Sequence, residues 1–237
     1  MRYTMHNAFM GISDLNHAQN LIGRGAFRHE VARHLLDEIF RGRIPSGERL
    51  RVMKLAERLG VSSTPVREAL VELESIGIVE FVHNRGVIVN PWGEQQLREI
   101  YQLRRILESE ATRSASGQIP PEELETLRSE LVNLMQNGRT RNWSQREMAL
   151  DRRLHDLIAS RCGSVRLAAE LSRYDILVQM VREVVGSNRT AQERALREHI
   201  AIVEALDANH PDRAAAAMAE HITNSKQAAA SVMFARH

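Results

Sequence analysis

The stretch Leu55–Phe81, LAERLGVSSTPVREALVELESIGIVEF, reads as two short helices joined by a tight turn and followed by a strand. Leu55, Ala56 and Leu59 recur at helical spacing, and Gly60 stands where a helix needs a left-handed stop. Val61 supplies an apolar plug for the turn, Thr64 is placed to cap the next helix through its hydroxyl, and Pro65 suits a first helical position, where no amide hydrogen is required. A second helix is therefore expected from Pro65, with Val66, Ala69, Leu70, Leu73 and Ile76 on one apolar stripe. Ser63, Thr64, Arg67 and Glu68 then face outward at its start, where side chains reach base edges when a recognition helix enters a major groove. Gly77 ends this helix, Ile78 to Val82 alternates as a strand, and His83-Asn84-Arg85-Gly86 turns into Val87-Ile88-Val89. The result is a two-stranded wing with an arginine at its tip. Two helices and a turn occur in many small helical domains; the wing, the capping and the local charge favour a winged helix-turn-helix.

Working outward, the DNA-binding candidates are Arg49, Arg51, Ser62, Ser63, Thr64, Pro65, Arg67, His83, Arg85 and Gly86. The net charge of +2 announces no nucleic-acid partner by itself. Residues 41–67, however, hold seven basic side chains (Arg41, Arg43, Arg49, Arg51, Lys54, Arg58, Arg67) against Glu48 and Glu57. Such a cluster would supply affinity through phosphates, and a few helix residues would supply sequence preference. A solvated basic surface is the bland alternative, because arginine outnumbers lysine thirty to two over the whole chain. At 237 residues the chain suits two ordinary domains. Its single cysteine, Cys162, rules out a disulfide framework and reads as a small helix-end residue beside Gly163 rather than a nucleophile. No apolar run long enough to span a bilayer and no secretory leader are visible, so no membrane partner and a cytoplasmic location are expected.

The expected organisation is a mobile tail over 1–25, a headpiece over 26–90, a linker over 91–95 and an all-α domain over 96–233. Phe27, Val31, Leu35, Ile39 and Phe40 give the first headpiece helix, closed near Gly42, and Ile44-Pro45-Ser46-Gly47 is a turn. Beyond Pro91-Trp92-Gly93 the apolar spacing predicts helices near 94–116, 120–136, 144–161, 164–185, 189–208 and 211–233. Their breaks fall at Gly117, Asn137-Gly138, Gly163, Gly186 and Asn209-His210-Pro211. The fold class is mainly α: an N-terminal winged helix-turn-helix and a C-terminal antiparallel bundle of six or seven helices.

Inside that bundle Asp151 and His155 lie four apart and project from one face of a helix. His199 falls among Ala195, Ile202, Val203 and Leu206, and His221 among Met218, Ile222 and Ser225, so both point to the core. Three imidazoles and a carboxylate are costly to bury unless paired or metal-bound, and three nitrogens with one oxygen suit a zinc- or nickel-like divalent ion. Three unrelated core histidines with local hydrogen bonds are the competing reading. A metal-dependent hydrolase is another: the ligand set can leave a position open for water, and Glu147, one turn before Asp151, is the neighbouring candidate base. No HExxH-type helix supports it, and no enzymatic activity is expected. An architectural DNA binder without an effector would leave the buried histidines unexplained.

The string GVSSTPVREALVELESIGIVEFVHNRG resembles the winged helix of GntR-family transcriptional regulators. The bundle resembles the FCD type of ligand-sensing domain of the FadR subfamily, through IYQLRRILESEA at 100–111, DRRLH at 151–155, REHIAIVEAL at 197–206 and AMAEHI at 217–222. The resemblance implies a homodimeric, effector-controlled regulator, in first expectation a repressor, acting on double-stranded operator DNA. It further implies that Asp151, His155, His199 and His221 hold a metal, that a small carboxylate binds beside it, and that Arg104 faces that pocket. Two positions depart from the family pattern: Ser63 and Met53 stand where arginines are common. Arginine to guanine is the commonest specific base contact, so the DNA function carries over and an operator sequence does not.

Overall fold

The computed structural model describes residues 24–137, 142–186 and 188–234. The expected tail lies outside these residues except for Arg24 and Gly25, which open the first helix, and Gly138, expected as a helix break, also lies outside them. The chain divides into two compact units, one ending at Pro91 and the other starting at Trp92.

In the first unit the helices are α1 (Arg24–Phe40), α2 (Val52–Leu59) and α3 (Ser63–Ser75), and the strands are β1 (Arg49–Leu50), β2 (Val79–Val82) and β3 (Gly86–Val89). Gly60 ends α2 with φ 65°, and its amide reaches the carbonyls of Ala56 and Glu57. This is the left-handed stop expected there. Val66, Ala69, Leu70 and Leu73 form the buried stripe of α3, which packs against α1 and α2. Leu35, Leu36, Leu70 and Leu73 are completely buried.

Three expectations are corrected in this unit. The recognition helix starts at Ser63, not Pro65, and the N-cap position belongs to Ser62, whose side chain makes no capping bond; Thr64 is not the cap. Pro65 still falls in the first turn, where amides have no intrahelical acceptor, so its missing N–H is as harmless there as at the first position. The wing carries a third strand: Arg49 pairs with Ile88 and Leu50 with Val87, giving the order β1-β3-β2. Two residues are too short to show a period. Finally, β2 begins at Val79 rather than Ile78, because Ile78 donates its amide back to the carbonyl of Leu73. The turn Asn84 (φ 60°) to Gly86 (φ 80°) places Arg85 at the exposed tip.

The second unit contains α4 (Glu94–Ala115), α5 (Pro121–Gln136), α6 (Trp143–Arg161), α7 (Val165–Ser172), α8 (Asp175–Val185), α9 (Arg189–Asp207) and α10 (Pro211–Met233). α4 starts at Glu94, inside the stretch expected to be linker. The stretch expected as one helix over 164–185 is two. The backbone tightens where Tyr174 N–H donates to Leu171, three residues back, and then resumes as α8. α7 buries no residue, whereas α8 buries Ile176, Leu177, Val178, Met180 and Val181; the two present different faces, and neither glycine nor proline marks the change. The core lies where α4, α9 and α10 pack together with α5 and α6, and Leu97, Leu127, Leu131, Leu154, Ile202, Val203, Met218 and Ile222 fill it.

Replacing the fully buried Leu70 of α3 with alanine removes a large side chain from the headpiece core. Leu70→Ala is expected to lower unfolding free energy by about 2–5 kcal/mol, read from the urea midpoint at unchanged slope; a loss below ~1 kcal/mol would contradict this packing.

Candidate functional site

α6 contributes Asp151 and His155, α9 contributes His199 and α10 contributes His221. The packing of α4, α6, α9 and α10 brings one ligand-type atom from each of the four residues within 4.8 Å of the others. His199 Nε2 lies 3.2 Å from Asp151 Oδ1 and 3.2 Å from His221 Nε2, and His155 Nε2 lies 3.7 Å from the same Asp151 oxygen. His199 is completely buried and His221 and Asp151 nearly so. The sequence-predicted quartet therefore converges on one point.

Outer groups fix two of the rings. His155 Nδ1 donates to Glu108 Oε2, and His221 Nδ1 donates to Glu198 Oε2 at 2.8 Å. A carboxylate only accepts, so each Nδ1 carries a hydrogen and each Nε2 is left facing the quartet. Among the described residues His155 Nε2 has no hydrogen-bond partner although it is buried. Histidine ligands backed by carboxylates in this way are the usual support of a metal site. Among the described residues His199 Nδ1 also lacks a partner, so no outer carboxylate backs that ring, whose contact with a carboxylate is through Nε2 to Asp151. The donor set of three imidazoles and a carboxylate fits a borderline divalent ion such as zinc or nickel.

Charge around the quartet is balanced pair by pair. Arg182 pairs with Asp151 Oδ2, Arg104 Nε donates to Glu108 Oε1 at 2.8 Å, and Arg194 Nε lies 3.6 Å from Glu198 Oε1. Burial alone would raise the Asp151 and Glu108 carboxyls. Arg182 and the imidazoles instead hold Asp151 well below the usual range, and Arg104 with His155 does the same for Glu108. Burial, reinforced by His199, lowers His221 to about 4, so its ring is neutral at ordinary pH. Arg104, expected from the family resemblance to face a pocket, lines a cavity with Tyr101, Glu147, Arg182, Gln192 and His221. Glu147 in that cavity is raised to about 7, by burial first and by Asp151 second.

Glu108, Glu198, Arg182 and Gln192 were not among the expected site residues. Glu108 lies one turn after Arg104 and Glu198 directly precedes His199, so charge spacing offered a hint for both. Arg182 and Gln192 lie on helices whose relation to α6 has no local signal.

In the headpiece, Arg49, Arg51, Ser62, Thr64, Arg67, His83, Arg85 and Gly86 are exposed, and Ser63 and Pro65 are half-buried. The Arg49 guanidinium runs beside Gly86, where an added Cβ would stand 3.5 Å from its Nε, so β1 and the wing share a face. The basic cluster is smaller than its composition. Arg41 and Arg43 bind Asp37 at 2.7 and 2.6 Å, and Arg58 binds Glu38 at 2.5 Å, both acids lying just before the stretch counted as basic. A groove between α2 and β1 keeps Arg49, Arg51 and Lys54 on its rim without ion pairs among the described residues. Met53, where arginine is common in the family, is 69% exposed.

A winged headpiece joined to this histidine-centred helical unit defines a class, the bacterial regulators that couple a DNA-reading domain to an all-α sensory domain. The chain belongs to the gntR family of bacterial regulatory proteins, whose profile matches residues 27–89, and it carries an FCD domain over residues 99–224. It is a transcriptional regulator of that family. It is 32% identical over 184 residues to the Nta operon transcriptional regulator of Aminobacter aminovorans, covering 74% of this chain and 81% of that protein. It is 28% identical over 195 residues to a probable D-xylose utilization operon transcriptional repressor of Paenarthrobacter nicotinovorans, covering 81% of this chain and 84% of that one. Among solved structures, Escherichia coli McbR/YncC shares the fold, with a TM-score of 0.59 at 21% identity over 91% of this chain and 95% of that chain. Among the described residues no helix is long and apolar enough to cross a membrane.

Glu147 gives a pH test. Its carboxyl is raised from 4.5 to about 7, so the folded state holds a proton that the unfolded state has released between those values. Stability from this group is present at low pH and is lost as pH rises through 7. In chelated protein Glu147→Gln is expected to match wild type near pH 4 and to exceed it above pH 8, by up to about 3 kcal/mol. Parallel melting-temperature profiles from pH 4 to 8.5 would contradict the assignment.

Proposed function

We propose that the protein is a homodimeric, cytoplasmic repressor whose operator affinity is set by a small carboxylate bound beside a divalent metal in the FCD unit. The observation that carries this reading is the convergence of three Nε2 atoms on Asp151, two of them with Nδ1 hydrogens donated to carboxylates and one buried without a partner. In this reading Asp151, His155, His199 and His221 would hold zinc or nickel, which would supply a Lewis-acidic site for an effector oxygen. Arg104 presents a guanidinium to the effector's anionic group from inside the same cavity. Arg67 and neighbours at the start of α3 read bases, while Arg49, Arg51 and Arg85 contact phosphate or the minor groove. Two-fold protein symmetry would be mirrored in a nearly palindromic operator. An effector that prefers one state of the sensory unit changes DNA affinity, and operator DNA changes effector affinity by the same factor.

The test has two arms. Protein purified without chelator is expected to contain one divalent ion per chain, absent from His199→Ala, and to respond to small carboxylates only while the metal is present. No metal in wild type would sink the sensor half of the proposal. On DNA selected from random sequence, Arg67→Ala is expected to cost about 1–3 kcal/mol and relax preference at particular bases, whereas Arg49→Ala should weaken binding evenly across sequences and flatten the salt dependence. Unchanged affinity and preference in Arg67→Ala would remove α3 as the reading element.

A further inference from the structure

We infer that the cavity takes a ligand bearing an ammonium group as well as a carboxylate, an amino acid in the broad sense, with Glu147 as the ammonium-binding residue. The inference rests on reading this cavity as the effector site and adds the chemical class of the effector.

Four carboxylates surround the cavity and the quartet, and three have a guanidinium of their own: Asp151 has Arg182, Glu108 has Arg104 and Glu198 has Arg194. Glu147 has none among the described residues. It lines the cavity while only 5% exposed, and its hydrogen-bonding neighbour is the neutral Gln192, whose Nε2 donates to Glu147 Oε2 at 3.0 Å. That amide has nothing further to give. Gln192 Nε2 also lies 2.7 Å from Ser144 Oγ, and its Oε1 accepts from the same hydroxyl at 3.0 Å. Glu147 Oε1 receives no hydrogen bond among the described residues.

A buried carboxylate without a counter-ion costs solvation energy, and a glutamine here would accept the same bond from Gln192 without that cost. Retaining the acid makes chemical sense if a cation arrives. The guanidinium groups of Arg182, Arg104 and Arg194 each lie against another acid, and a metal in the quartet would be shared among its own four ligands, so an ammonium on the ligand would be the counter-ion that belongs to Glu147 itself. Glu147 and Asp151 project from the same face of α6 one turn apart, roughly 5–6 Å. An amine at Glu147 and a carboxylate at the Arg104 and quartet edge would thus be separated by the length of a short amino acid. The ammonium would replace the missing guanidinium and complete the balance of paired charges.

The experiment is isothermal titration of the full chain, its metal retained, with two matched sets of probes: glutarate, 2-hydroxyglutarate and L-glutamate, and butyrate, 4-hydroxybutyrate and 4-aminobutyrate. In at least one set wild type is expected to bind the amino member roughly tenfold more tightly than both analogues. Glu147→Gln should reduce that preference to within about twofold, while keeping or improving affinity for the deaminated acid. Carboxylate binding with no preference for the amino member, with preference for the hydroxy member, or with an amino preference that survives Glu147→Gln overturns this inference and leaves the effector site standing. No binding by any of the six acids counts against the effector reading itself, and this inference falls with it.

Discussion

Everything in the FCD unit depends on placing ionisable groups where water does not reach. Three imidazoles and a carboxylate within 4.8 Å of one another would be unstable in an apolar bundle on their own. Arg182, Arg104 and Arg194, each from a different helix, return part of that cost by lying against Asp151, Glu108 and Glu198. The packing of α4, α6, α8, α9 and α10 is therefore tied to electrostatic matching as well as to shape. Leu97, Leu154, Val203 and Met218 make the bundle fold, and the paired charges make one arrangement of it preferable.

The headpiece follows the opposite economy. Its core is apolar, built of leucine, isoleucine, valine, alanine and Phe27, and apart from the buried Asp37 its charges lie at or near the surface, where pairing is weak and screened. Asp37 and Glu38 nonetheless claim three of the arginines that composition would have credited to DNA. Among the described residues, the basic groups without an ion pair include Arg49, Arg51 and Lys54 beside the groove between α2 and β1, Arg67 on α3 and Arg85 at the wing tip.

How legible all this was in the sequence varied with the range of the interaction. Features set within one turn or one helix face could be read directly: Gly60 as a stop, the α3 stripe, the pairing of Asp151 with His155, and the inward direction of His199 and His221. The quartet was found because each member carried a local sign and the types together suited a metal. Short or neutral signals failed. β1 is two residues long and owes its existence to β3, and the break between α7 and α8 follows from which face each buries. The start of α3 was misplaced because proline is equally content anywhere in a first turn. Arg182 and Gln192 acquire meaning only from helix packing, which spacing along the chain does not encode.

The choice of arginine over lysine has a regulatory consequence. Thirty of the thirty-two basic side chains are guanidinium groups, and these keep their charge at any pH a cell meets and are not substrates for lysine acetylation. Lys54, on the groove between α2 and β1, and Lys226, on α10, are the two side-chain amines available to that chemistry. Acetylation of side-chain amines could thus remove positive charge from the headpiece at Lys54 alone among the described residues. The positive charge of the headpiece is therefore almost insensitive to pH and to acetylation, being set by guanidinium groups.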